Sequence, residues 1–455
     1  MEIYIAGAGA GKTTTMAEHI IKLREKIEKY KIIFCITFTN NAVDCIKGKL
    51  TEHYGEIPSN IMVSTIHSFL YQQLVRPYYY LLYGKQFQRI SVADLPTDAK
   101  YKKGKISRLE KRDILHQTAI PERAMWVIYQ KTGDRKGIKD KRKVIKDIFS
   151  EYCGAVCIDE AQDIDSKMQV IIEVLHEMGI GLLLMGDPKQ DLKGHKCLRS
   201  LIKKYEKEVK YINVCHRCPQ EHLELSNSIV AISEQQHSKK SGGVIKIQFE
   251  TDISYKKLIQ DKQYDLTYIS KKQGIYNTHK EKGKQSNVLA VAEEMEAIVR
   301  KKYSDKSEMD VKREAYYYSE KLIDLYVDTG NRERALYKLS KEVVIDKREY
   351  GILINMLLDK DEEINDERVV VSSIESIKGR EGKNCLFILT TDLAAYLFGD
   401  KTEDNATKNQ LYVALTRSLD KLTIFITDKV ENKYGREKIE DFFSRYLPKN
   451  IFYDA

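Results

Sequence analysis

Short apolar runs alternate along this chain with longer stretches in which apolar residues recur at helical spacing. IYIAG is followed by a helical pattern to about Tyr30, and IIFCITF by one through Leu50; AVCIDE, GLLLMGD and YINV then continue the series. Near-continuous apolar runs suit strands buried on both faces, and their alternation with helices is the rhythm of a doubly wound parallel sheet. The rhythm breaks twice. An aromatic and basic stretch lies between His67 and Glu151, and a charged helical stretch between about Asn277 and Asp366, after which VVVSSI, CLFILTT and LTIFIT resume the strand pattern. The expected fold is therefore α/β, with two sheet domains each interrupted by a helical insertion. The expected boundaries are 1–72 with 151–210 for the first sheet domain and 73–150 for a basic helical insertion. The second sheet domain is expected over 211–280 with 366–455, and a reduced helical insertion over 281–365.

Composition narrows the class. A chain of 455 residues, 42% of them hydrophobic, can bury more than one core. No apolar run is long enough to span a bilayer, and the first residues read as a buried strand rather than a basic segment ending in a cleavage site, so a cytoplasmic protein with no membrane partner is expected. The net charge of +9 is concentrated: residues 101–150 hold fifteen Lys or Arg against six Asp or Glu. Lys141, Arg142 and Lys143 in that window are candidate phosphate contacts, although charge runs commonly form solvated faces. Of the eight cysteines, Cys35, Cys157 and Cys385 sit in apolar runs as small buried hydrophobes. Cys153, Cys157, Cys215 and Cys218 could be read as a zinc tetrad, but Cys157 belongs to a strand that commits it to packing, and zinc is not expected.

The strongest chemical signal is Ala6-Gly7-Ala8-Gly9-Ala10-Gly11-Lys12-Thr13, after an apolar strand and before a helix. Glycines let backbone N–H groups approach phosphate oxygens, and the helix N-terminus adds its positive end. Residues Gly7, Ala8, Gly9, Ala10, Gly11, Lys12, Thr13 and Thr14 would cradle a nucleoside triphosphate, with Lys12 reaching the β and γ phosphates and Thr13 ligating Mg²⁺. Val156-Cys157-Ile158-Asp159-Glu160 supplies the second half of such a site: Asp159 for the Mg²⁺ shell and Glu160 to position or deprotonate water. ATP is the expected substrate, with other NTPs or dNTPs as candidates.

With these residues the chain resembles the UvrD/Rep branch of superfamily 1 helicases, in order along nearly its whole length. Thr37-Phe38-Thr39-Asn40-Asn41-Ala42 and Ser64-Thr65-Ile66-His67-Ser68-Phe69 look like two of the family's DNA-contact motifs. Asp159-Glu160-Ala161-Gln162-Asp163 matches its DExQD box and Gly186-Asp187-Pro188-Lys189-Gln190 its GDxxQ motif. His216-Arg217 falls at its Tyr-Arg, Ser376-Ile377-Lys378-Gly379-Arg380-Glu381 at its Ser-Ala-Lys-Gly-Leu-Glu, and Tyr412-Val413-Ala414-Leu415-Thr416-Arg417 at its last motif. The resemblance implies two RecA-like P-loop NTPase domains with nucleotide in the cleft between them. It implies Gln190 as γ-phosphate sensor, Arg217 and Arg417 as arginine fingers, and Gly379 and Glu381 at the nucleotide, Glu381 accepting from the ribose. Phe38, Thr39, Asn40, Thr65, His67 and His195 would meet single-stranded DNA, although Phe38 alone would read as a core aromatic.

The chain also departs from the family. The phosphate loop begins at residue 6, leaving no room for the segment that reads adenine, and His216 replaces the stacking tyrosine, so weak base discrimination is expected. Gln190-Asp191-Leu192-Lys193-Gly194-His195-Lys196 lacks the family's gripping tryptophan, and Trp126 lies elsewhere. The favoured reading is a DNA-stimulated ATPase, with 3′ to 5′ translocation implied by the family. The compact format resembles the helicase-like subunit of Gabija anti-phage systems, which implies the alternative: an NTPase that senses DNA ends or strands and regulates an OLD-family nuclease. A metal-dependent nuclease is disfavoured, because no second acidic cluster around a lysine stands outside the ATPase motifs.

Overall fold

The computed structural model describes residues 1–446 except 97, 254, 261–263, 274, 279–283, 303–305 and 358–368. Two compact units divide the chain. One comprises 1–86, 118–278 and 369–455; the other comprises 87–117 and 279–368.

The first unit contains two parallel sheets flanked by helices. Strands β1 (Glu2–Ala6), β2 (Ile32–Thr37), β3 (Ile61–Thr65), β4 (Cys153–Ile158), β5 (Gly181–Gly186) and β6 (Val209–Ile212) form one, in the order β3-β2-β4-β5-β1-β6. The apolar runs of β1, β2, β4 and β5 are buried, as strands covered on both faces require: Ile3, Ile33, Cys35, Val156, Cys157 and Leu184 have almost no exposed surface, whereas β6, at the sheet edge, exposes Lys210 and Tyr211. Because every pairing is parallel, all six strands end at one edge. The phosphate loop, Phe38–Asn40, Thr65–His67, Asp159–Glu160 and Asp187–Gln190 all leave the sheet there, where ligands of open α/β sheets bind.

The second sheet combines β7 (Val244–Phe249), β8 (Leu266–Ile269), β9 (Ser372–Ser373), β10 (Gly382–Leu389) and β11 (Ser418–Ile426), in the order β9-β8-β10-β11-β7, again all parallel. β10 and β11 are the expected runs CLFILTT and LTIFIT. The run VVVSSI proves to be two short pieces: Val369–Val370 pairs with Tyr276–Asn277, whereas Ser372–Ser373 joins the main sheet. The strand β7 sits at an edge, where Lys246 and Gln248 interrupt its apolar residues.

The second unit is mostly helical. Helices Lys284–Lys302, Glu308–Thr329, Arg332–Ser340 and Lys347–Met356 bury Met295, Val299, Val311, Leu322, Leu336 and Leu353 together. Residues 87–117 join them with a two-stranded pair, Arg89–Ser91 and Ile114–His116, and the helix Ala99–Lys111. Arg89 meets Glu296 at 2.6 Å, and the Ser91 hydroxyl donates to Glu293 at 2.7 Å. The basic window 101–150, contiguous in sequence, therefore divides between the two units at residue 117. Among the described residues no helix is long and apolar enough to cross a membrane.

Candidate nucleotide and nucleic-acid site

Between β1 and the helix Lys12–Lys26, the phosphate loop turns at Gly9 and Gly11, whose φ values of 67° and 75° suit glycine alone at low cost. Lys12 folds back, its Nζ donating to the carbonyls of Ala6 and Gly7 at 3.3 Å each. Thr13 and Thr14 open the helix. Thr13 stands beside Asp159, just past the end of β4, and its hydroxyl favours the charged form of that carboxyl.

Asp159 is fully buried, and burial followed by the adjacent Glu160 charge pushes its carboxyl upward, against the pull of Lys12. Its Oδ1 accepts from the Glu160 N–H at 2.9 Å; its Oδ2 is buried without a partner. An orphaned carboxylate oxygen beside a threonine hydroxyl and a lysine fits a hard cation that takes only one or two protein ligands and completes its shell with water and phosphate. Glu160 adopts φ 56°, and its carboxylate accepts from the Gln162 amide. Burial raises its carboxyl, but Lys12, Lys378 and Gln162 outweigh burial and hold it below the usual range.

Gln162 also accepts from the Asp187 N–H at 2.9 Å, tying the acidic box to the following motif. There Gln190 donates to Asp187 at 2.9 Å, and the Lys189 ammonium lies 3.0 Å from the same carboxylate. Gln190 is thus buried against Asp187 rather than displayed.

The second sheet's flanking segments press on this loop. The His216 N–H donates to the Gly9 carbonyl at 2.8 Å, and the exposed His216 ring lies beside Gly11. A Cβ on Gly9 would stand 2.4 Å from that of Arg217, so glycine is required here by contact as well as by φ. Arg217 pairs with Glu381 at 2.6 Å, which joins a residue expected to be a finger to the one expected at the ribose. Gly379, two residues earlier, turns with φ 80°. Arg417 is different. It is fully buried, donating to the carbonyls of Val413 and Arg380 and to the Thr416 hydroxyl, and burial with nearby Arg217 lowers its pKa.

The expected DNA-contact residues gather at the same edge. The pairing Thr37↔Thr65 sets the ends of β2 and β3 side by side. Thr39 caps the helix Asn40–Tyr54 by accepting from the Ala42 N–H, and Thr65 accepts from the Ser68 N–H. Phe38 is half-buried rather than a core residue, and Thr39 and Asn40 are exposed. Burial lowers the His67 pKa, with Asp165 and Lys193 as its charged neighbours. His195 is exposed on a loop tied down by Asp191, which accepts from the N–H groups of His195 and Lys196.

One expected phosphate contact is corrected. Arg142 is buried: it pairs with Asp134, donates to the carbonyls of Trp126 and Val127 at the end of the helix Ile120–Ile128, and reaches the Tyr83 hydroxyl. In the helix Lys136–Tyr152 it shares the buried face with Ile145 and Phe149, at helical spacing, while Lys141 and Lys143 are exposed. Two further connections escaped the sequence reading. Lys378 grips both oxygens of Asp163 at 2.6 and 2.8 Å, and both residues stood inside quoted motifs. Tyr412 and Gln236 bind the Ala8 peptide, and nothing around Gln236 marked it.

Strand-end acids facing a glycine loop, with Arg217 of a flanking segment against that loop, can be compared with known proteins. Residues 3–139 match the UvrD/REP helicase N-terminal domain. The Gabija protein GajB of Bacillus cereus (strain VD045) is 31% identical over 192 residues, a distant homologue; the match spans 41% of this chain and about a third (36%) of that protein. Among solved structures, the PRRSV helicase covers 93% of this chain and 52% of its own at 9% identity, with a TM-score of 0.34.

Proposed function

We propose that this chain is a DNA-dependent NTPase motor that hydrolyses ATP and moves 3′ to 5′ along a single strand. The observation that carries the reading is the convergence of Lys12, Thr13, Asp159 and Glu160 at one sheet edge, with Arg217 of the facing segment packed on Gly9. Thr13 and Asp159 would hold Mg²⁺, which when bound supplies positive charge against the phosphates. Lys12 would exchange the Ala6 and Gly7 carbonyls for phosphate oxygens. Glu160, kept ionised by Lys12 and Lys378, would orient the attacking water and take its proton. Arg217 would leave Glu381 to stabilise charge at the γ phosphate, and Arg417 would have to leave its own carbonyl partners to do the same. The exposed His216 offers a stacking face for the base.

The GajB match favours a second reading: an NTPase subunit that senses DNA ends or strands and regulates a partner nuclease, with little unwinding. ATP turnover with and without single-stranded DNA, for wild type and Lys12→Ala, tests the common core. DNA should stimulate wild type, and Lys12→Ala should lose turnover by a factor on the order of a hundred, the size of one positioned charge. Wild type without turnover in either condition would overturn the reading, and a strand-displacement assay separates motor from sensor.

A further inference from the structure

Ala8 is the one phosphate-loop residue whose methyl lies in the apolar cluster of the second sheet, with Leu225, Ile377 and Tyr412. Both of its backbone polar groups are held from the same side. Its N–H donates to the Tyr412 hydroxyl at 3.1 Å; that hydroxyl donates its own proton to Gln236 Oε1 at 2.8 Å; and Gln236 Nε2 donates to the Ala8 carbonyl at 3.1 Å. The ring closes on itself. A carbonyl only accepts, so the amide end of Gln236 must face Ala8, and a hydroxyl that accepts from Ala8 has one proton left for the other end. Tyr412 and Gln236 are both buried. Asn227 fixes Gln236 from behind, exchanging hydrogen bonds with its backbone at 3.0 and 2.8 Å. Gly7 makes room for the device, since a Cβ there would meet the Gln236 carboxamide at 2.2 Å.

We infer that Tyr412 and Gln236 are positioning residues for nucleotide binding, gripping the Ala8 peptide so that the phosphate loop is held in the second sheet's frame. This rests on the NTPase reading proposed above. The grip takes the Ala8 N–H out of the phosphate cradle and leaves the cradle to Gly9–Thr13. It also gives the helix Ala406–Leu415, which carries Tyr412 and leads directly into Arg417, a hold on the loop that binds the substrate. A buried ring of this kind loses most of its value when any one member is removed, because the remaining groups are left unpaired.

The test compares wild type with Tyr412→Phe, Gln236→Leu and the double variant, each checked for folding by thermal melting. Steady-state ATP turnover should give a KM raised about tenfold in each single variant with kcat within about threefold. The double variant should be no worse than the poorer single one, since the ring breaks only once. Hydrogen exchange across residues 6–14 of the nucleotide-free protein should speed up in all three. A merely structural role would lower melting temperature and kcat and leave KM alone, and that outcome, or unchanged exchange, overturns the inference. If wild type binds no nucleotide, the NTPase reading fails separately, and exchange still decides whether the ring holds the loop.

Discussion

Two sides of one sheet edge are built in opposite ways. On the side proposed for the nucleotide, Asp159, Gln162, Asp187 and Gln190 are buried, and Gln162 reaches across from the acidic box to the Asp187 N–H, while Gln190 donates to the same Asp187. On the side proposed for the single strand, Thr39 and Thr65 are satisfied within three residues of themselves, and His195 and Lys196 by Asp191 close by. A long single strand needs an open, locally supported surface, while phosphoryl transfer needs charges preorganised in a low-dielectric site. Substitutions should therefore act strongly and specifically on the first side, and weakly and additively on the second.

The largest expected effect tests the first half of that contrast. Glu160→Gln keeps the shape of the side chain and its contact with Gln162 but removes the base, so kcat should fall by a factor on the order of a hundred or more. Nucleotide affinity, measured by fluorescence titration, should stay within a fewfold. Turnover near wild type would mean that the buried acidic network is structural.

Next in size is a change that looks like strand-side chemistry and is not. Arg142→Ala leaves the buried Asp134 carboxylate without its ion-pair partner, though still accepting from the Lys131 N–H, and frees two helix-end carbonyls, a loss of about 3–5 kcal/mol by comparison with other broken buried pairs. Lys141→Ala and Lys143→Ala, on the exposed face of the same helix, should change stability by less than about 0.5 kcal/mol. Chemical denaturation of the three variants checks both figures. Equal effects at all three positions would return Arg142 to the solvated face that its sequence context suggests.

The contrast also explains what was legible in the sequence. The phosphate loop, the acids of β4 and the α/β class could be read directly, because each is a contiguous pattern whose chemistry dictates its neighbours: glycines before a lysine, acids after an apolar strand. What could not be read was pairing across the chain. Lys378 with Asp163, and Tyr412 with Gln236 and Ala8, join residues whose separation carries no periodicity, and Gln236 lies in a segment with neither helical nor strand spacing. Arg142 was misread for a related reason. A charge count over 101–150 cannot tell a helix's buried face from its exposed one, although Arg142, Ile145 and Phe149 already share helical spacing. β7 and β8 were hidden by length and, in β7, by interspersed polar residues at a sheet edge.

The smallest expected effects lie on the strand side, and they separate phosphate contact from base stacking. Lys193 and His195 are both exposed on the loop after Gln190, and Lys193 is close enough to His67 to influence its titration. If this edge follows the phosphate backbone, Lys193→Gln should weaken binding of every single-stranded sequence alike. It should also flatten the log-log salt dependence by about 0.7, the slope of one released counterion contact. His195→Ala should leave that slope unchanged and cost less than about threefold in affinity, because an imidazole offers only a small stacking face. Salt titrations of fluorescent oligonucleotide binding, on homopolymers of differing base, measure both quantities at once. A tenfold loss in His195→Ala with an unaltered slope, larger on purine than on pyrimidine strands, would put stacking rather than charge at this edge. In that case His195 would take over the part of the family's gripping aromatic, and the strand side would share the specificity now assigned to the nucleotide side alone.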